Sequence, residues 1–306
     1  MNRRTFAYLA LALPAAAVAQ ARAQELNLQE LIANGPQWLK ENIDDSLLKA
    51  LPEFDQEKAD QLFKEIQKRY AGNYVIDMAA LQETTRRMLP LLKTFKETAP
   101  YAAWLSAHIS DFDVAGQLKL TIRPLKGSTT PPQPTPEQTR QAWQKQVAVI
   151  EKPPAAVPLV PRLKQIFVSQ RVPPAMVWIA EVESGFDAHA RSPVGAVGMF
   201  QLMPDTARAL GLNLKPKDER QDPDRSAKAA AIYLRYLVQR FKDWRLAVAA
   251  YNAGEGRIRD ALAAKKTKTF DGIANSLPAE TQLYVPKLEA VIQRREGVAM
   301  QRLTVA

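Results

Sequence analysis

The sequence of 306 residues predicts an all-α protein in which a small helical domain precedes a larger one. Three observations support this fold class. Apolar residues recur three and four positions apart in most segments, which is the spacing of an amphipathic helix. No long segment alternates apolar and polar residues as a half-buried strand does. Finally, the prolines cluster in a segment that separates the two predicted domains.

Residues 1–23 predict an export signal. Two arginines precede an apolar stretch from Phe6 to Val18, which is too short to span a bilayer comfortably. Small residues suit a signal peptidase within 21–23, and 17–19 offers a second cleavage site. We therefore expect export to a bacterial periplasm, by the general or the twin-arginine route. An uncleaved membrane anchor is the alternative, whereas the absence of cysteine excludes a lipoprotein.

The small helical domain is predicted to span residues 25–123. Its stretches of helical spacing are LNLQELIA, WLKENIDDSLLKAL, DQEKADQLFKEIQKRY and MAALQETTRRMLPLLKTF, followed by YAAWLSAHI as a short helix. Pro90 should kink or end its helix. No residues here indicate chemistry. We expect this domain to pack on the rest of the chain or to bind a cell-envelope protein partner.

Residues 124–138 contain five prolines and predict a polyproline-like linker, which could extend over about 45 Å. Residues 139–306 then predict the larger domain. Its helical stretches are EQTRQAWQKQVAVI, LVPRLKQIFVSQR, PPAMVWIAEVESGF, SAKAAAIYLRYLVQRF, RLAVAAYNAG and LYVPKLEAVIQRR. Pro174 suits a first helical turn, and Pro286 lies near the predicted start of the last helix.

Composition limits the classes of function. The net charge is +10, or +7 once residues 1–23 are removed, which suits an anionic partner such as cell wall or a membrane surface. Export and the lack of a nucleic-acid motif argue against nucleic acid. Without cysteine, and with His108 and His189 as its two histidines, the chain is a poor candidate for a metal site or a Ser–His–Asp triad. We expect no metal and no cofactor.

Glu183 lies on a predicted helix that is apolar nearly all round and should therefore be buried. It shares an arc of roughly 80° with Met176, Ile179 and Ala180, whereas Glu181 falls outside that arc. Burial disfavours the charged form, so the pKa of Glu183 should exceed the roughly 4.3 of free glutamate. Such a carboxylic acid can protonate a leaving oxygen. The alternative is that Glu183 caps a helix or pairs with an arginine, and we expect Glu181 to be solvated or ion-paired.

Four motifs follow one another in the second half of the chain: ESGF (183–186), SPVGAVGMFQLMP (192–204), AAYNAGEGRI (249–258) and LPAETQLYVPKL (277–288). Together they resemble the lysozyme-like lytic transglycosylases of bacterial cell walls, which share the fold of goose-type lysozyme. The resemblance covers about 157–296. DERQDPDRSAKAAAIYL and the closing motif are most similar to the membrane-bound transglycosylase D branch.

The resemblance implies an activity and one catalytic residue. Glu183 would act as acid and then as base in cleaving the β-1,4 bond between N-acetylmuramic acid and N-acetylglucosamine of peptidoglycan. The product would carry a 1,6-anhydromuramic acid end. Asp187 would be structural, because the substrate's own N-acetyl group replaces the second carboxylate that most glycosidases use.

The resemblance also implies a set of substrate-binding residues. These are Ser192, the backbone groups of Gly198, Met199 and Phe200, the side chain of Gln201, and the tyrosines Tyr251 and Tyr284. The Tyr251 hydroxyl would point at the catalytic glutamate, and Tyr284 would line the groove. Asn252 and Glu280 would support the site. The chain departs from the family pattern at Ala188, where proline is common, and at Phe200, where methionine or tryptophan is common.

Two other functions are compatible with this pattern. One is a hydrolytic lysozyme or chitinase of the same fold, which would use water and a second carboxylate. The other is a non-catalytic scaffold that binds peptidoglycan or serves a secretion system. The presence of Glu183, Gln201 and Tyr251 argues against a loss of activity.

Overall fold

The structure is a computed structural model that describes residues 56–94, 98–192 and 194–304. The predicted export signal, the first two predicted helices and the start of the domain 25–123 lie outside the described residues. The α-helices within the described ranges are α1 (Gln56–Ala71), α2 (Gln82–Thr94), α3 (Ala99–Thr121), α4 (Pro136–Ala148), α5 (Ala156–Ser169), α6 (Ile179–Ser184), α7 (Pro204–Ala209), α8 (Pro223–Phe241), α9 (Trp244–Ala253), α10 (Glu255–Lys265), α11 (Phe270–Ile273) and α12 (Ala279–Glu296).

The predicted all-α class is confirmed for the described ranges. Extended pairing there is limited to isolated bridges that join Val197 to Arg191 and to Leu202. Short 3₁₀ helices complete the secondary structure, at Val75–Leu81, Pro174–Trp178, Glu219–Gln221, Ala274–Ser276 and Met300–Arg302.

Helix α12 is the centre of the fold. From Ala279 to Ile292 every side chain except that of Glu280 is buried. Helices α1, α4, α6 and α9 all pack against it. Pro286 lies inside α12 rather than near its start, because the helix begins at Ala279, earlier than the apolar spacing indicated.

Residues from Phe54 to Ala306 form one compact unit. The described part of the predicted small domain, 56–123, belongs to this unit, because α1 and α3 pack on helices of the predicted larger domain. Whether 25–123 is a domain in its own right stays a prediction.

The proline-rich segment 124–138 lies against the start of the described chain. The Tyr74 hydroxyl donates to the carbonyl of Pro131, and the amide of Val75 donates to Gln133 Oε1 at 3.3 Å. Its last residues already belong to α4, where the Thr135 side chain and Gln138 form a reciprocal capping box. These contacts hold the segment on the protein surface.

Three predicted helices differ in length or type from those observed. Helix α2 continues through Pro90 to Thr94. The predicted short helix around residue 105 is the 23-residue α3, which carries apolar residues on several sides and so lacks a clear helical period. The predicted helix after Pro173 begins as a 3₁₀ turn, with Pro174 in its first turn as expected, and becomes α6 at Ile179.

Among the described residues, no helix combines the length and the apolar composition that a membrane crossing requires.

Candidate active site

The helix that carries Glu183 is short and anchored by apolar residues. Ile179, Ala180 and Val182 of α6 are buried, and Glu183 itself is half-buried. Gly185 ends the helix with a φ of 64°, a left-handed conformation that glycine adopts without steric cost. Glu183 is therefore held in the last turn of α6, with a packed apolar side and a partly open side.

Asp187 is not a second carboxylate on the same helical face. The predicted helical stretch ended at Phe186, directly before Asp187, whereas α6 ends at Ser184. The side chain of Asp187 is exposed and accepts a hydrogen bond from the amide of His189 at 2.8 Å. This local contact agrees with the structural role that the resemblance implied.

Desolvation raises the pKa of Glu183 to about 8. A hydrogen bond from Tyr284 and the charge of Lys287 lower this pKa, and the charge of Glu280 raises it, but burial is the largest effect. The direction agrees with the sequence prediction. With a pKa near 8, the carboxyl group is roughly nine-tenths protonated at pH 7. Because the side chain is also partly accessible, it can donate that proton to a bound molecule.

Tyr284, not Tyr251, is the tyrosine that contacts Glu183. The Tyr284 hydroxyl, on the buried side of α12, donates to Glu183 Oε1. The Tyr251 hydroxyl instead donates to the carbonyl of Phe200 at 2.8 Å. The hydrogen bond of Tyr251 thus goes to Phe200, and the expectation that its hydroxyl points at the glutamate stays a prediction.

The Gly-x-x-Gln segment, residues 198–201, is bound through its carbonyl groups to α6, the helix of Glu183, and to α9. Ser184 Oγ donates to the carbonyl of Met199 at 2.9 Å, and Tyr251 donates to that of Phe200. The side chains of Met199 and Phe200 are fully buried. Within the protein, these two carbonyls therefore hold the loop in place, and the substrate-binding role expected for the backbone groups of 198–200 stays a prediction.

Gln201 closes the turn to which it belongs. Its side-chain Nε2 donates to the carbonyl of Gly198 at 2.8 Å, and its own backbone has a φ of 44°. The side chain is half-buried. Its carbonyl oxygen, with two lone pairs, stays suited to accept a hydrogen bond from a sugar hydroxyl.

Gly198 is needed because another part of the backbone approaches it closely. A Cβ atom at this position would lie 1.9 Å from the carbonyl oxygen of Arg220, and the φ of Gly198 is +83°. Arg220 is itself buried and donates to the carbonyls of Gly195 and Leu202, each at 2.9 Å. Arg220 was not among the site residues predicted from the sequence. The sequence feature that could have revealed it is an arginine within DERQDPDRS for which no ion-pair or hydrogen-bond partner was predicted.

Ser192 lies in the loop but outside the hydrogen-bond network of Glu183 that the structure describes. It is buried, and its Oγ accepts from the amide of Val194 at 3.2 Å. Its own amide donates to the carbonyl of Ala196 at 2.8 Å. These contacts show that Ser192 helps to form the loop, and its substrate-binding role stays a prediction.

Asn252 and Glu280 form a supporting network at the start of α12. Asn252 Nδ2 donates to Glu280 Oε1 at 3.1 Å, and Asn252 Oδ1 accepts from the Thr281 hydroxyl at 2.7 Å. Desolvation raises the pKa of Glu280, although the Asn252 hydrogen bond opposes the shift. The contacts join α9 to α12 and agree with the fold-supporting role expected for both residues.

Glu181 is ion-paired, which is one of the two roles expected for it. Arg295 Nη2 lies 2.8 Å from Glu181 Oε1, and both side chains are 8% exposed. Arg295 also donates to the carbonyls of Ile150 and Glu151. Glu181 therefore ties α6 to the end of α12, eleven residues beyond Tyr284, which makes it a suitable control for Glu183.

The described residues contain no group of three or more His, Asp or Glu side chains arranged to hold a metal ion. His189 is exposed and lies 3.1 Å from Gln221 Oε1, measured from its Nδ1. Burial lowers the pKa of His108 to about 4.

Lys287 and Asp111 are further charged residues that the sequence analysis did not select. Both are buried, and Lys287 Nζ lies 2.9 Å from Asp111 Oδ1. The signal that could have revealed them is the one used for Glu183, a charged residue within an apolar helix. Lys287 occurs in LYVPKLEAVI and Asp111 in HISDFDVAG.

Comparison with known proteins agrees with these site motifs. Residues 168–273 match the model of the Transglycosylase SLT domain. The chain is 40% identical over 126 residues to membrane-bound lytic murein transglycosylase D of Escherichia coli (strain K12), covering 40% of this chain and 28% of that protein. It is 36% identical over 121 residues to soluble lytic murein transglycosylase of Salmonella typhimurium, covering 37% and 19%.

A solved structure is also similar to the chain. An inactive mutant of lytic transglycosylase Slt from Pseudomonas aeruginosa superposes with a TM-score of 0.44 and 20% identity, over 88% of this chain and 49% of that one. The chain spans less than a third of the length of either transglycosylase to which its sequence was compared.

The family match covers the Glu-Ser motif, the Gly-x-x-Gln segment and the Ala-Tyr-Asn-Ala-Gly motif, which are the segments that the structure brings together around Glu183. Residues 168–273 of this chain are thus similar to the Transglycosylase SLT domain.

Proposed function

We propose that this chain is a lytic transglycosylase that cleaves the β-1,4 bond between N-acetylmuramic acid and N-acetylglucosamine in peptidoglycan glycan strands. One observation carries the proposal: Glu183 is half-buried, has a pKa raised to about 8 and accepts a hydrogen bond from Tyr284. An acid in this state is protonated where the reaction begins and is held in one orientation.

In the first step, Glu183 donates its proton to the oxygen of the glycosidic bond. That bond breaks, and the N-acetyl carbonyl of the muramic acid meets the positive charge at its anomeric carbon. Glu183 is now a carboxylate, which the Tyr284 hydroxyl and the positive charge of Lys287 both stabilise, since both lower its pKa. Desolvation thus favours the starting acid, while these two groups favour the base that it becomes.

In the second step, the Glu183 carboxylate takes the proton of the 6-hydroxyl of the same sugar. The 6-oxygen then attacks the anomeric carbon and displaces the N-acetyl oxygen. A 1,6-anhydro end forms, Glu183 recovers its proton, and no water is consumed. The site needs a single protein carboxylate for this sequence of steps.

A hydrolytic mechanism would need a carboxylate to activate water. Glu280 is the acidic residue whose charge acts on Glu183. It accepts a hydrogen bond from Asn252, and desolvation raises its pKa, which favours the protonated form that cannot take a proton from water. We therefore favour the route that consumes no water.

The substitution Glu183→Gln tests the proposal, with Glu181→Gln as its matched control on the same helix. We expect E183Q to lose about a hundred- to ten-thousand-fold in the rate of muropeptide release while it still binds glycan strands. E181Q should retain the rate below its unfolding temperature, although it loses a buried ion pair. Release by E183Q at the wild-type rate would contradict the proposal.

Mass spectrometry of the products separates the two enzymatic alternatives. Products of the proposed reaction end in anhydro sugars, which are lighter by one water than hydrolysed ends. Hydrolysed ends alone would show a lysozyme-type enzyme. Binding to peptidoglycan with no products of either kind would show a scaffold.

We also propose that the chain is exported to the periplasm after removal of residues 1–23. The supporting observations are the apolar stretch behind two arginines and the positive charge of the remaining chain. N-terminal sequencing of the protein recovered from the periplasm should begin at Gln24 if cleavage follows Ala23, or at Gln20 if it follows Ala19. An intact Met1 in the membrane fraction would indicate an anchor.

A further inference from the structure

A buried ion pair joins the helices before the proline-rich segment to the helix that orients Glu183. Lys287 of α12 and Asp111 of α3 are 7% and 5% exposed, and Lys287 Nζ lies 2.9 Å from Asp111 Oδ1. A buried ammonium or carboxylate is costly without a partner. Each of the two residues therefore holds the other in place.

The charged groups of this pair also form hydrogen bonds and a cation–π contact with other residues. Lys287 Nζ also donates to the carbonyl of Ala107 at 3.0 Å and lies 5.1 Å from the ring centroid of Trp143. Asp111 Oδ2 accepts from the Tyr70 hydroxyl at 2.8 Å. The pair thus gathers α1, α3, α4 and α12 around one point.

The first turn of α12 is bound to the same N-terminal part by separate contacts. The amide of Ala279 donates to the carbonyl of Gly72 at 2.6 Å. Gln282, which is buried, donates through Nε2 to the carbonyl of Asn73 at 2.7 Å. Two points of α12, its start and its middle, are consequently fixed by residues 70–111.

Tyr284 lies between these two points. It precedes Lys287 by three residues, so the two side chains share one face of α12. Its hydroxyl donates to Glu183 Oε1. Helix α3 also packs directly against α6, the helix of Glu183. The N-terminal helices therefore contact both helices that carry the Glu183–Tyr284 hydrogen bond.

From these contacts we infer that Asp111 and Lys287 are positioning residues for the Glu183–Tyr284 pair. The helices of residues 56–121 thus help to determine the geometry of the active site. Their role is to set the place of α12, and hence of the Tyr284 hydroxyl. The charge of Lys287 also acts on Glu183, whose pKa it lowers. The inference rests on the proposed function for its kinetic tests.

Several titratable groups surround the two residues whose charges matter. Burial lowers the pKa of His108 to about 4, so this residue adds no charge near neutral pH. Desolvation raises the pKa of Tyr70 well above its usual value, so it stays neutral as well. The titratable groups that interact with Glu183 are Glu280, Tyr251, Tyr284 and Lys287. The titratable groups around Lys287 are Asp111, His108 and Tyr70.

The substitution Lys287→Met in the full chain is the first test. Without the positive charge, the pKa of Glu183 should rise, and the high-pH limb of the activity profile should move to higher pH. Because α12 is less well fixed in this variant, kcat should fall about tenfold or more. KM should change less than about twofold, because the buried Lys287 and Asp111 are expected to position other residues and not to bind substrate. Lys287→Arg keeps the charge and should keep the limb at its wild-type position.

The control Glu289→Gln removes a different buried charge from the same helix. Glu289 accepts from Arg245 Nε at 2.6 Å and lies two residues after Lys287, about 200° around α12. E289Q should lower the melting temperature without moving the high-pH limb. If E289Q moves the limb as K287M does, or if K287R moves it as far as K287M, the inference is wrong.

A third variant separates positioning from folding. Replacing the whole cluster with apolar residues, as Tyr70→Phe, Asp111→Leu and Lys287→Met together, removes the buried polar side chains that K287M leaves without their ammonium partner. Buried ion pairs replaced in this way commonly leave stability unchanged or improved. We expect this variant to melt near the wild type while kcat stays low and the high-pH limb stays raised. Wild-type kcat and a wild-type limb in this variant would overturn the inference.

A readout without activity distinguishes this inference from the proposed function. The carboxyl ¹³C signal of Glu183, assigned by its loss in E183Q, can be titrated whether or not the chain cleaves peptidoglycan. K287M should raise the titration midpoint of this signal, and K287R should not. An unchanged midpoint in K287M would contradict the inference. If the wild-type protein releases no muropeptides, only the proposed function is contradicted.

Discussion

The hydroxyl of Tyr284 donates a hydrogen bond to Oε1 of Glu183, although 101 positions separate the two residues in the chain. The bond joins a glutamate in the last turn of a short helix to a tyrosine on the central helix of the fold. It stabilises the charged form of Glu183 against the larger effect of burial. The acid strength of the proposed catalytic group thus depends on how α6 and α12 are placed relative to each other.

Removal of this bond should change both rate and pH dependence. Tyr284→Phe takes away a hydrogen bond that lowers the pKa of Glu183, so that pKa should rise above about 8. The high-pH limb of activity should move upward in a plot of kcat/KM against pH. A hydrogen bond to a charged group contributes about 1.5–3 kcal/mol, so the rate should fall roughly tenfold or more.

Tyr251→Phe is the matched control, because it removes a hydroxyl whose hydrogen bond goes to the Phe200 carbonyl. We expect about 1 kcal/mol of lost stability and a high-pH limb that stays in place. If Y251F moves the limb and Y284F does not, the assignment of the two tyrosines is reversed.

The stability of the protein should depend on pH through Glu183. The carboxyl group ionises near 4.5 when unfolded and near 8 when folded. Between these two pH values the folded state keeps a proton that the unfolded state has lost. The stabilisation that this proton contributes is complete below pH 4.5 and is lost as the pH rises through 8. The glutamine side chain of the E183Q variant cannot ionise, so that variant escapes this loss.

Thermal unfolding measures the difference. Relative to the wild type, E183Q should gain at least about 2 °C in melting temperature on going from about pH 4.5 to about pH 8.5. Glu83→Gln, at a side chain that is 86% exposed, should show no such gain. An equal difference between E183Q and the wild type at both pH values would mean that Glu183 is not a buried acid.

The loop beside Glu183 should be intolerant of a side chain at Gly198. In Gly198→Ala the new Cβ would meet the Arg220 carbonyl oxygen at 1.9 Å, in addition to adopting a φ of +83°. Gly195→Ala has a similar φ of +95° but no atom within 4 Å of its Cβ. We expect a loss of about 1 kcal/mol for G195A and of about 3 kcal/mol or more for G198A, measured from urea unfolding midpoints. Equal losses would show that backbone conformation alone, and not the approach of Arg220, requires the glycine.

Local features of the site were predictable from the sequence. The raised pKa of Glu183 followed from its place among apolar residues on one helix, because burial of a carboxyl acts at short range. The end of α6 could also be predicted, because a glycine such as Gly185 directly after the last apolar turn commonly ends a helix, although the predicted stretch ran on to Phe186. Helices with a clear apolar stripe, such as α1 and α8, were also predicted where they occur.

Long-range relationships were not predictable in this way. Which tyrosine reaches Glu183 depends on how α9 and α12 pack, and both Tyr251 and Tyr284 lie in motifs that would suit the role. The pairing of Lys287 with Asp111 joins residues 176 positions apart. Helical spacing identifies each as an unusual charge on an apolar helix, but it does not reveal the partner. The integration of residues 56–123 into the compact unit depends on such contacts.

Direct titration of the Glu183 carboxyl group by ¹³C NMR, assigned through E183Q, is the measurement closest to the central claim. The account predicts that this carboxyl in the wild-type protein titrates with a midpoint near 8, and that Tyr284→Phe raises the midpoint further. A midpoint near the usual 4.5 of glutamate, unchanged in Y284F, would contradict the claim that Glu183 is an acid kept protonated by burial and oriented by Tyr284.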